Sequence, residues 1–286
     1  MPKNKIQNLA YFNSEVRKLA LKCEHPFARD CVGMLDTFFE LESEVPKSYD
    51  WKFTSTSSLA EELSNIQGND EWNKVYWRDF AESLQAFSVS SFYRQIGILR
   101  PAIRALNTGE FLAGAILTRS ALELSVWSIS STNIIRNTVN ELTLNSRPTD
   151  NRYMASGLQT LLVKMLWGTR LDTDHSEMKQ TNIITVLPKL AKHDSAEFLI
   201  LAYEYLSEAT HPNIVGNSEY WQYPESSKYL KDYTIRITSS PSNLKPNKLL
   251  EYTLGALGWS GVCQRNSIMQ ARAALEVIEK NFFDRL

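Results

Sequence analysis

The stretch Phe111-Leu-Ala-Gly-Ala-Ile-Leu-Thr-Arg-Ser-Ala-Leu-Glu-Leu-Ser-Val-Trp127 is apolar on nearly every face and carries two charged residues, Arg119 and Glu123. A helix that is hydrophobic all round is normally buried. Because a buried charge without a partner is costly, we expect both groups to meet partners in the fold. The stretch predicts a central helix over 110–131, with the two charges one turn apart on the same stripe.

The remainder of the chain also favours helices. Glycine and proline number only 11 and 10 in 286 residues, which argues against a many-turned β architecture. The segment 217–240 differs, because it carries β-forming residues, and it predicts a small β-hairpin or extended insertion. We therefore predict an all-α helical bundle with one β-like insertion. The other predicted helices cover 5–24, 29–44, a stretch capped by Ser57 or Ser58 and ended by Gly68, 71–98, a stretch starting at Pro101, 151–168, 181–192, 195–210 and 248–283.

Two breaks in the pattern suggest the domain organisation. Gly68-Asn69-Asp70 interrupts the helical periodicity near the first quarter of the chain. We predict an N-terminal helical region over 1–70 and a main helical bundle domain over 71–286, with an insertion at 213–247. Asn145–Asp150 is the best candidate for an internal linker.

Composition excludes several classes of function. The net charge of −1 provides no global basic field for nucleic acid or an anionic membrane, although 31 Lys and Arg leave room for a local patch. The three cysteines, Cys23, Cys31 and Cys263, lack CxxC spacing, and no histidine pair has metal-ligand spacing. Phosphate-binding glycine loops and nucleophile-elbow motifs are missing. We expect no metal, no cofactor, no membrane partner and a cytoplasmic location.

The Arg119–Glu123 pair has two interpretations. Arg before Glu is the less favourable order for a pair one turn apart, so surface support alone does not explain it. In the first interpretation, Arg119 anchors an anion or a facing carboxylate. In the second, the pair is a structural ion pair that locks two helices together.

A second polar site is predicted at the end of a later helix, in Tyr203-Glu-Tyr-Leu-Ser-Glu-Ala-Thr-His-Pro-Asn213. Pro212 disfavours helical geometry in the preceding residue, so His211 ends this helix. Ser207 and Glu208 lie four and three residues earlier and can reach its ring. A helix C-terminus and a neighbouring carboxylate favour imidazolium, as suits a proton donor or acceptor. Alternatively, His211 is a capping residue that holds the following loop.

Other candidates carry weaker patterns. His25 and His193 fall at predicted helix ends, where solvated caps are expected, and His175 lies in an acidic loop. The aromatic segment Tyr220-Trp221-Gln222-Tyr223 allows a third function, a small-molecule sensor. Five aromatic residues at helical spacing are predicted to be core: Trp72, Tyr76, Trp77, Phe80 and Phe87.

Three motifs carry a resemblance to known proteins. Thr181–Leu190, the box Leu206-Ser207-Glu208-x-x-His211-Pro212-Asn213, and Arg119-Ser120-x-x-Glu123 after Gly109 resemble a group of uncharacterised bacterial helical proteins over residues 85–225. That group is similar to the HEPN-like helical class, many of whose members are ribonucleases or nucleotide-modifying toxins in stress and antiphage systems.

The resemblance implies an α-helical bundle that pairs as a homodimer or with a partner protein of a defence or toxin–antitoxin system. One departure is clear. HEPN ribonucleases carry an Arg four to six positions before a His on one helix, whereas no Arg stands among Glu204–Ser207 before His211 here. Arg119 would have to supply the guanidinium from another helix.

We therefore expect Arg119 and His211 to share one site. In this hypothesis Arg119 binds phosphate, Glu123 orients Arg119, and His211 acts as acid or base, positioned by Glu208 and Ser207, on RNA or a nucleotide. The alternative is a non-catalytic protein-interaction module in which the polar cluster is a structural lock. The sequence leaves open whether the protein is an enzyme.

Overall fold

The computed structural model describes residues 12–144, 148–169, 178–179, 182–193, 196–211, 214–218, 220–222, 235–238 and 247–283. Across these residues the fold is almost entirely helical, which confirms the all-α prediction. The helices are Ser14–Ala20 (α1), Pro26–Arg29 (α2), Cys31–Phe39 (α3), Thr56–Ser64 (α4), Asn69–Asn107 (α5), Phe111–Leu144 (α6), Pro148–Trp167 (α7), Ile183–His193 (α8), Phe198–Thr210 (α9), Ile214–Ser218 (α10) and Lys248–Ile278 (α11). A 3₁₀ turn at Glu40–Ser43 follows α3, and a π-helical turn at Glu279–Phe283 follows α11.

The described residues divide into two compact units, each drawn from three stretches of the chain. Unit 1 is drawn from Met1–Phe39, Gln95–Leu124 and Leu187–Val262. Unit 2 is drawn from Glu40–Arg94, Ser125–Val186 and Cys263–Leu286. The division at residue 70 that the sequence suggests stays a prediction.

Unit 2 has a core rich in aromatic side chains. All five aromatic residues predicted to be core are buried on α5, which confirms that prediction. They pack with aliphatic residues of α5 itself, of the second half of α6, of α7 and of the end of α11. The aliphatic members are Leu84, Ile135, Val139, Leu142, Leu158, Leu162, Ala271, Ala274 and Ile278.

In unit 1, α3 and α11 approach each other closely. A Cβ added at Gly258 of α11 would lie 2.9 Å from the Cα of Cys31, and one added at Gly261 would lie 3.1 Å from Leu35 Cδ2. The two backbones are therefore so close that a residue larger than glycine at position 258 requires the backbone at Cys31 to shift. Glu251 of α11 also accepts the backbone N–H of His25 at 2.6 Å.

Pro101 lies inside α5, so the predicted helix end near residue 98 and restart at Pro101 are wrong. A proline within a helix costs about 3 kcal/mol, because it removes a hydrogen bond and crowds the preceding turn. Leu99, Ile103 and Leu106 on either side of Pro101 are at most 1% exposed. Burial of each such side chain is worth about 1.5–3 kcal/mol, which together exceeds the proline cost.

The turn between α5 and α6 is specified by glycine. Gly109 has φ +80°, a left-handed conformation that glycine adopts without strain. Its N–H donates to Leu106 O at 3.2 Å, and the Glu110 N–H donates to Ala105 O at 2.8 Å. These two bonds form a Schellman cap that ends α5 and starts the helix carrying Arg119.

The boundaries of other predicted elements differ from those observed. The central helix predicted over 110–131 continues to Leu144. The helix predicted over 5–24 is observed at Ser14–Ala20, and residues 5–11 lie outside the described residues.

Trp221–Gln222 pairs antiparallel with Arg236–Ile237, within the segment predicted as a hairpin or extended insertion. Residues 214–218 form α10, where the sequence suggested a loop. The predicted linker at 145–150 lies partly outside the described residues, and α7 starts there at Pro148.

The contact at Gly258 predicts a specific sensitivity to substitution. Gly258→Ala should lower the free energy of unfolding by about 1–3 kcal/mol, since the backbone of Cys31 must move. Gly33 lies on the exposed side of α3 with open space around it. Gly33→Ala should therefore raise the free energy of unfolding by about 0.4–1 kcal/mol. Urea denaturation monitored by circular dichroism measures both. Equal effects would contradict the proposed packing.

Candidate functional site

The first part of α6 and helix α9, both in unit 1, build the candidate site. Arg119 and Glu123 lie one turn apart on α6, with side chains 28% and 25% exposed. The facing helix α9 buries Leu199, Ala202, Leu206 and Ala209 as one apolar stripe. Tyr203 and Ser207 lie beside that stripe, also one turn apart, and both contact Arg119.

The guanidinium of Arg119 has three hydrogen-bonding partners. Its Nε donates to Ser207 Oγ at 3.1 Å, and its Nη2 donates to Tyr203 Oη at 3.3 Å. Nη2 also lies 3.1 Å from Glu123 Oε1 in an ion pair. The expectation that the charges on this apolar helix meet partners is therefore confirmed for Arg119.

Tyr203 connects the two charged groups. Its hydroxyl accepts from Arg119 and donates to Glu123 Oε1 at 2.9 Å. The Cζ of Arg119 lies 5.4 Å from the Tyr203 ring centroid, so the guanidinium also contacts the ring face. Ser207 Oγ accepts from Arg119 and donates to the backbone carbonyl of Tyr203 at 2.7 Å. The result is one continuous hydrogen-bond network.

The Nη1 amino group of Arg119 is not part of this network. Within the described residues it makes no hydrogen bond or ion pair, whereas Nε and Nη2 are both used. A guanidinium whose orientation is fixed on one side and whose remaining N–H groups are available is suited to binding an oxyanion. The negative charge of Glu123 opposes such binding, because it already neutralises part of the guanidinium charge.

His211 ends α9, as the sequence predicted. Its backbone is extended, with φ −100° and ψ 155°, and its N–H donates to Glu208 O at 3.2 Å. The side chain is exposed and makes no hydrogen bond or ion pair with a described residue. Ser207 lies one turn before His211 on α9 and contacts Arg119. Helix α9 therefore carries both His211 and side chains that hold Arg119. The His211 ring bonds neither Arg119 nor Ser207 nor Glu208 in the structure, since Ser207 Oγ bonds Arg119 and the Tyr203 carbonyl instead. That these residues act together as one site stays a prediction.

Helix α10 packs closely on the end of α9. Gly216 is buried, and a Cβ added there would lie 3.3 Å from Ala209 O, 3.6 Å from His211 O and 3.7 Å from Leu112 Cδ1. The glycine of the Pro-Asn-x-x-Gly segment therefore lets α10 approach the backbone of His211. Helix α10 therefore packs against the backbone at which α9 ends.

Tyr203 is the site residue that sequence reasoning missed. The residue begins the quoted motif, four positions before Ser207 and eight before His211, and this spacing is the signal that points to it. A spacing of four places Tyr203 and Ser207 on one face of a helix. A tyrosine at this position also supplies both a donor and an acceptor, which the Arg–Glu pair needs.

The other candidate residues have structural surroundings. His25 is an N-cap whose Nδ1 accepts from the Phe27 N–H at 3.3 Å, and its ring stacks on Phe198 at 3.7 Å. Burial lowers the pKa of His25, with Glu251 opposing and Arg29 adding to the shift. Its ring is thus packed, whereas the sequence had suggested a solvated cap. His175, the side chain of His193, and Tyr223 lie outside the described residues.

The three cysteines are packed into the protein interior. All are buried, and burial, followed by the nearby Glu251, raises the pKa of Cys23 to about 11. Among the described residues no group of three or more His, Cys, Asp or Glu is placed to hold a metal ion. No helix in the described ranges is long and apolar enough to cross a membrane.

Comparison with known proteins identifies no relative. No protein-family model, curated protein or solved structure matches this chain significantly. The interpretation of the site therefore rests on its own geometry.

The network predicts a measurable role for the hydroxyl of Tyr203. Tyr203→Phe should lower the free energy of unfolding by about 1–2 kcal/mol, because two charged side chains lose a shared partner. Tyr252→Phe is the matched control, since the Tyr252 ring packs on Phe198 and Tyr205 but its hydroxyl bonds no described residue. Its expected change is about 0.5 kcal/mol or less.

A double-mutant cycle isolates the interaction. Combining Tyr203→Phe with Glu123→Gln should give a coupling of about 0.5 kcal/mol or more in urea denaturation, since the two side chains share one network. Additive effects would show that the hydroxyl and the carboxylate do not interact in solution.

Proposed function

We propose that this chain is a HEPN-like helical protein of bacterial stress or antiphage defence, working in the cytoplasm with a second copy or a partner protein of its system. In this proposal it acts on RNA or a nucleotide through Arg119, Glu123, Ser207, Glu208 and His211. Its main support is one observation. The Arg119 guanidinium is held against α9 one turn before His211, with its Nη1 amino group available.

Arg119 would bind a phosphate oxygen. Tyr203, Ser207 and Glu123 hold the guanidinium in place before any substrate arrives, so little side-chain entropy is lost on binding. Guanidinium–phosphate hydrogen bonds are charge-assisted and stronger than neutral ones. A prepared cation of this kind also stabilises negative charge that develops on phosphorus during reaction.

His211 would move the proton. In RNA, the 2′-hydroxyl oxygen can attack the adjacent phosphorus, and the bond from phosphorus to the 5′ oxygen breaks. The products are a 2′,3′-cyclic phosphate and a 5′-hydroxyl. An exposed imidazole at a helix C-terminus can accept the proton of the 2′-hydroxyl or donate one to the departing 5′ oxygen.

The test is cleavage of end-labelled RNA by the purified full chain. We expect His211→Ala to reduce the cleavage rate by about 10²–10⁴-fold, the usual contribution of a general acid or base. Arg119→Ala should also reduce it strongly, while RNA carrying a 2′-deoxy nucleotide at the cut position should remain intact. The matched controls are Arg136→Ala, on the exposed part of the same helix, and His193→Ala, at the end of α8.

Two outcomes contradict the proposal. One is RNA left intact by the wild-type chain, and the other is equal cleavage by wild type and His211→Ala. Melting temperatures of every variant show whether a lost activity reflects lost folding instead.

A second candidate function is a non-catalytic protein-interaction module with a structural lock. The observation that favours it is that Tyr203, Ser207 and Glu123 all find hydrogen-bond partners within the cluster. This function predicts a large loss of melting temperature in Arg119→Ala and no chemistry in any variant. A near-native melt together with lost RNA cleavage favours the site instead.

A further inference from the structure

A cavity of about 270 Å³ lies within unit 2, apart from the Arg119 network. Its walls come from the segment before α4, from α5 and from α7. The residues that matter for its chemistry are Trp51, Phe53, Asp79, Gln159 and Trp167. No residue of the proposed RNA site lines it, so a ligand of this cavity is independent of that function.

Three aromatic rings form one side of the cavity. Trp51 and Trp167 stack with centroids 5.9 Å apart, and Phe53 packs edge-on against both at 5.2 and 5.8 Å. Phe53 is 56% exposed and Trp167 is 48% exposed. Large apolar side chains left exposed together beside a cavity are typical of a binding site, because a ligand can cover them.

Three polar atoms on the lining residues have unmet hydrogen-bonding capacity. Trp51 Nε1, Asp79 Oδ1 and Gln159 Oε1 are buried and have no hydrogen-bond partner within the described part of the chain. Buried polar atoms without partners are rare in folded proteins, since each loses its bonds to water. One of these atoms is a donor and two are acceptors.

Asp79 is the most unusual of the three. The residue is 9% exposed, and its carboxyl has a side-chain hydrogen bond with Thr54. Burial raises the pKa of Asp79, the hydrogen bond with Thr54 lowers it, and Glu62 and Glu82 raise it further. A carboxyl placed at such cost beside a cavity, with one oxygen unpartnered, is suited to accept hydrogen bonds from a bound N–H group.

We infer that this cavity binds an amino-substituted, planar, bicyclic nitrogen heterocycle of the aminopurine class. The size fits, because benzene fills an engineered cavity of about 150 Å³ and this one admits a second fused ring. The aromatic wall offers a flat surface for stacking. Amino and ring N–H groups match the acceptors of Asp79 and Gln159, and a ring nitrogen matches the N–H donor of Trp51. These three atoms have almost no accessible surface in the free protein, so binding turns them towards the cavity.

The first test compares two ligands on the wild-type chain and needs no variant. Adenine and 6-methylpurine have the same shape, but the methyl group cannot donate a hydrogen bond. Isothermal titration calorimetry should show saturable 1:1 binding of adenine and binding of 6-methylpurine at least about tenfold weaker. Comparable affinities would overturn the inference, because the cavity would then be merely apolar. No adenine binding at millimolar concentration would also overturn it, leaving the polar atoms to ordered water.

The second test places the ligand in the cavity. Asp79→Leu and Gln159→Met remove the acceptors while keeping apolar bulk, and each should weaken adenine binding about tenfold or more. The matched control is Asp70→Leu, at an exposed position on the same helix, which should leave the affinity unchanged. Unchanged affinity in both cavity variants would place adenine elsewhere and overturn the inference.

Discussion

Unit 1 depends on the hydrogen bonds that Arg119 makes across to α9. Apolar contacts between two helices are non-directional, so by themselves they permit neighbouring registers. A slide of one turn, about 5.4 Å, would carry Tyr203 and Ser207 away from the guanidinium and leave the charges of α6 without their partners. The bonds from Nε to Ser207 and from Nη2 to Tyr203 therefore select one register. Because His211 follows on the same helix, that register also sets its position.

The same network explains how an apolar helix carries two charges. Arg119 and Glu123 are about three-quarters buried, so their loss of hydration must be offset by hydrogen bonds. Tyr203 provides this with one hydroxyl, which accepts from the cation and donates to the anion. Arg119 can anchor α6 to α9 and bind an anion at the same time. The bonds that anchor it use Nε and Nη2, which leaves its Nη1 amino group for the anion.

Local patterns in the sequence predicted the helices well and their interactions poorly. The Gly109 turn was sufficient to place the boundary between α5 and α6, and the break at Pro212 was sufficient to place the end of α9. The end of α6 at Leu144 lies well beyond the predicted position 131. Pro101 was misjudged because its local cost is visible in the sequence, whereas the burial of its neighbours depends on tertiary packing. Tyr203 lies 80 and 84 positions from its partners Glu123 and Arg119, and such pairs form only in a particular helix register. A single sequence carries no direct record of that register.

Two residues with unmet hydrogen bonds at the cavity, Asp79 and Gln159, are not conspicuous in the sequence. Charges inside an apolar run stand out in a sequence, yet in the folded protein Arg119 and Glu123 have met partners. Asp79 and Gln159 lie in ordinary amphipathic stretches, although an oxygen of each is left without a partner among the described residues. A cluster whose polar atoms are satisfied is stable without a ligand, whereas a lined cavity with unmet donors and acceptors gains free energy when one binds. By this criterion the cavity of unit 2 is the stronger structural indication of small-molecule binding in the described protein.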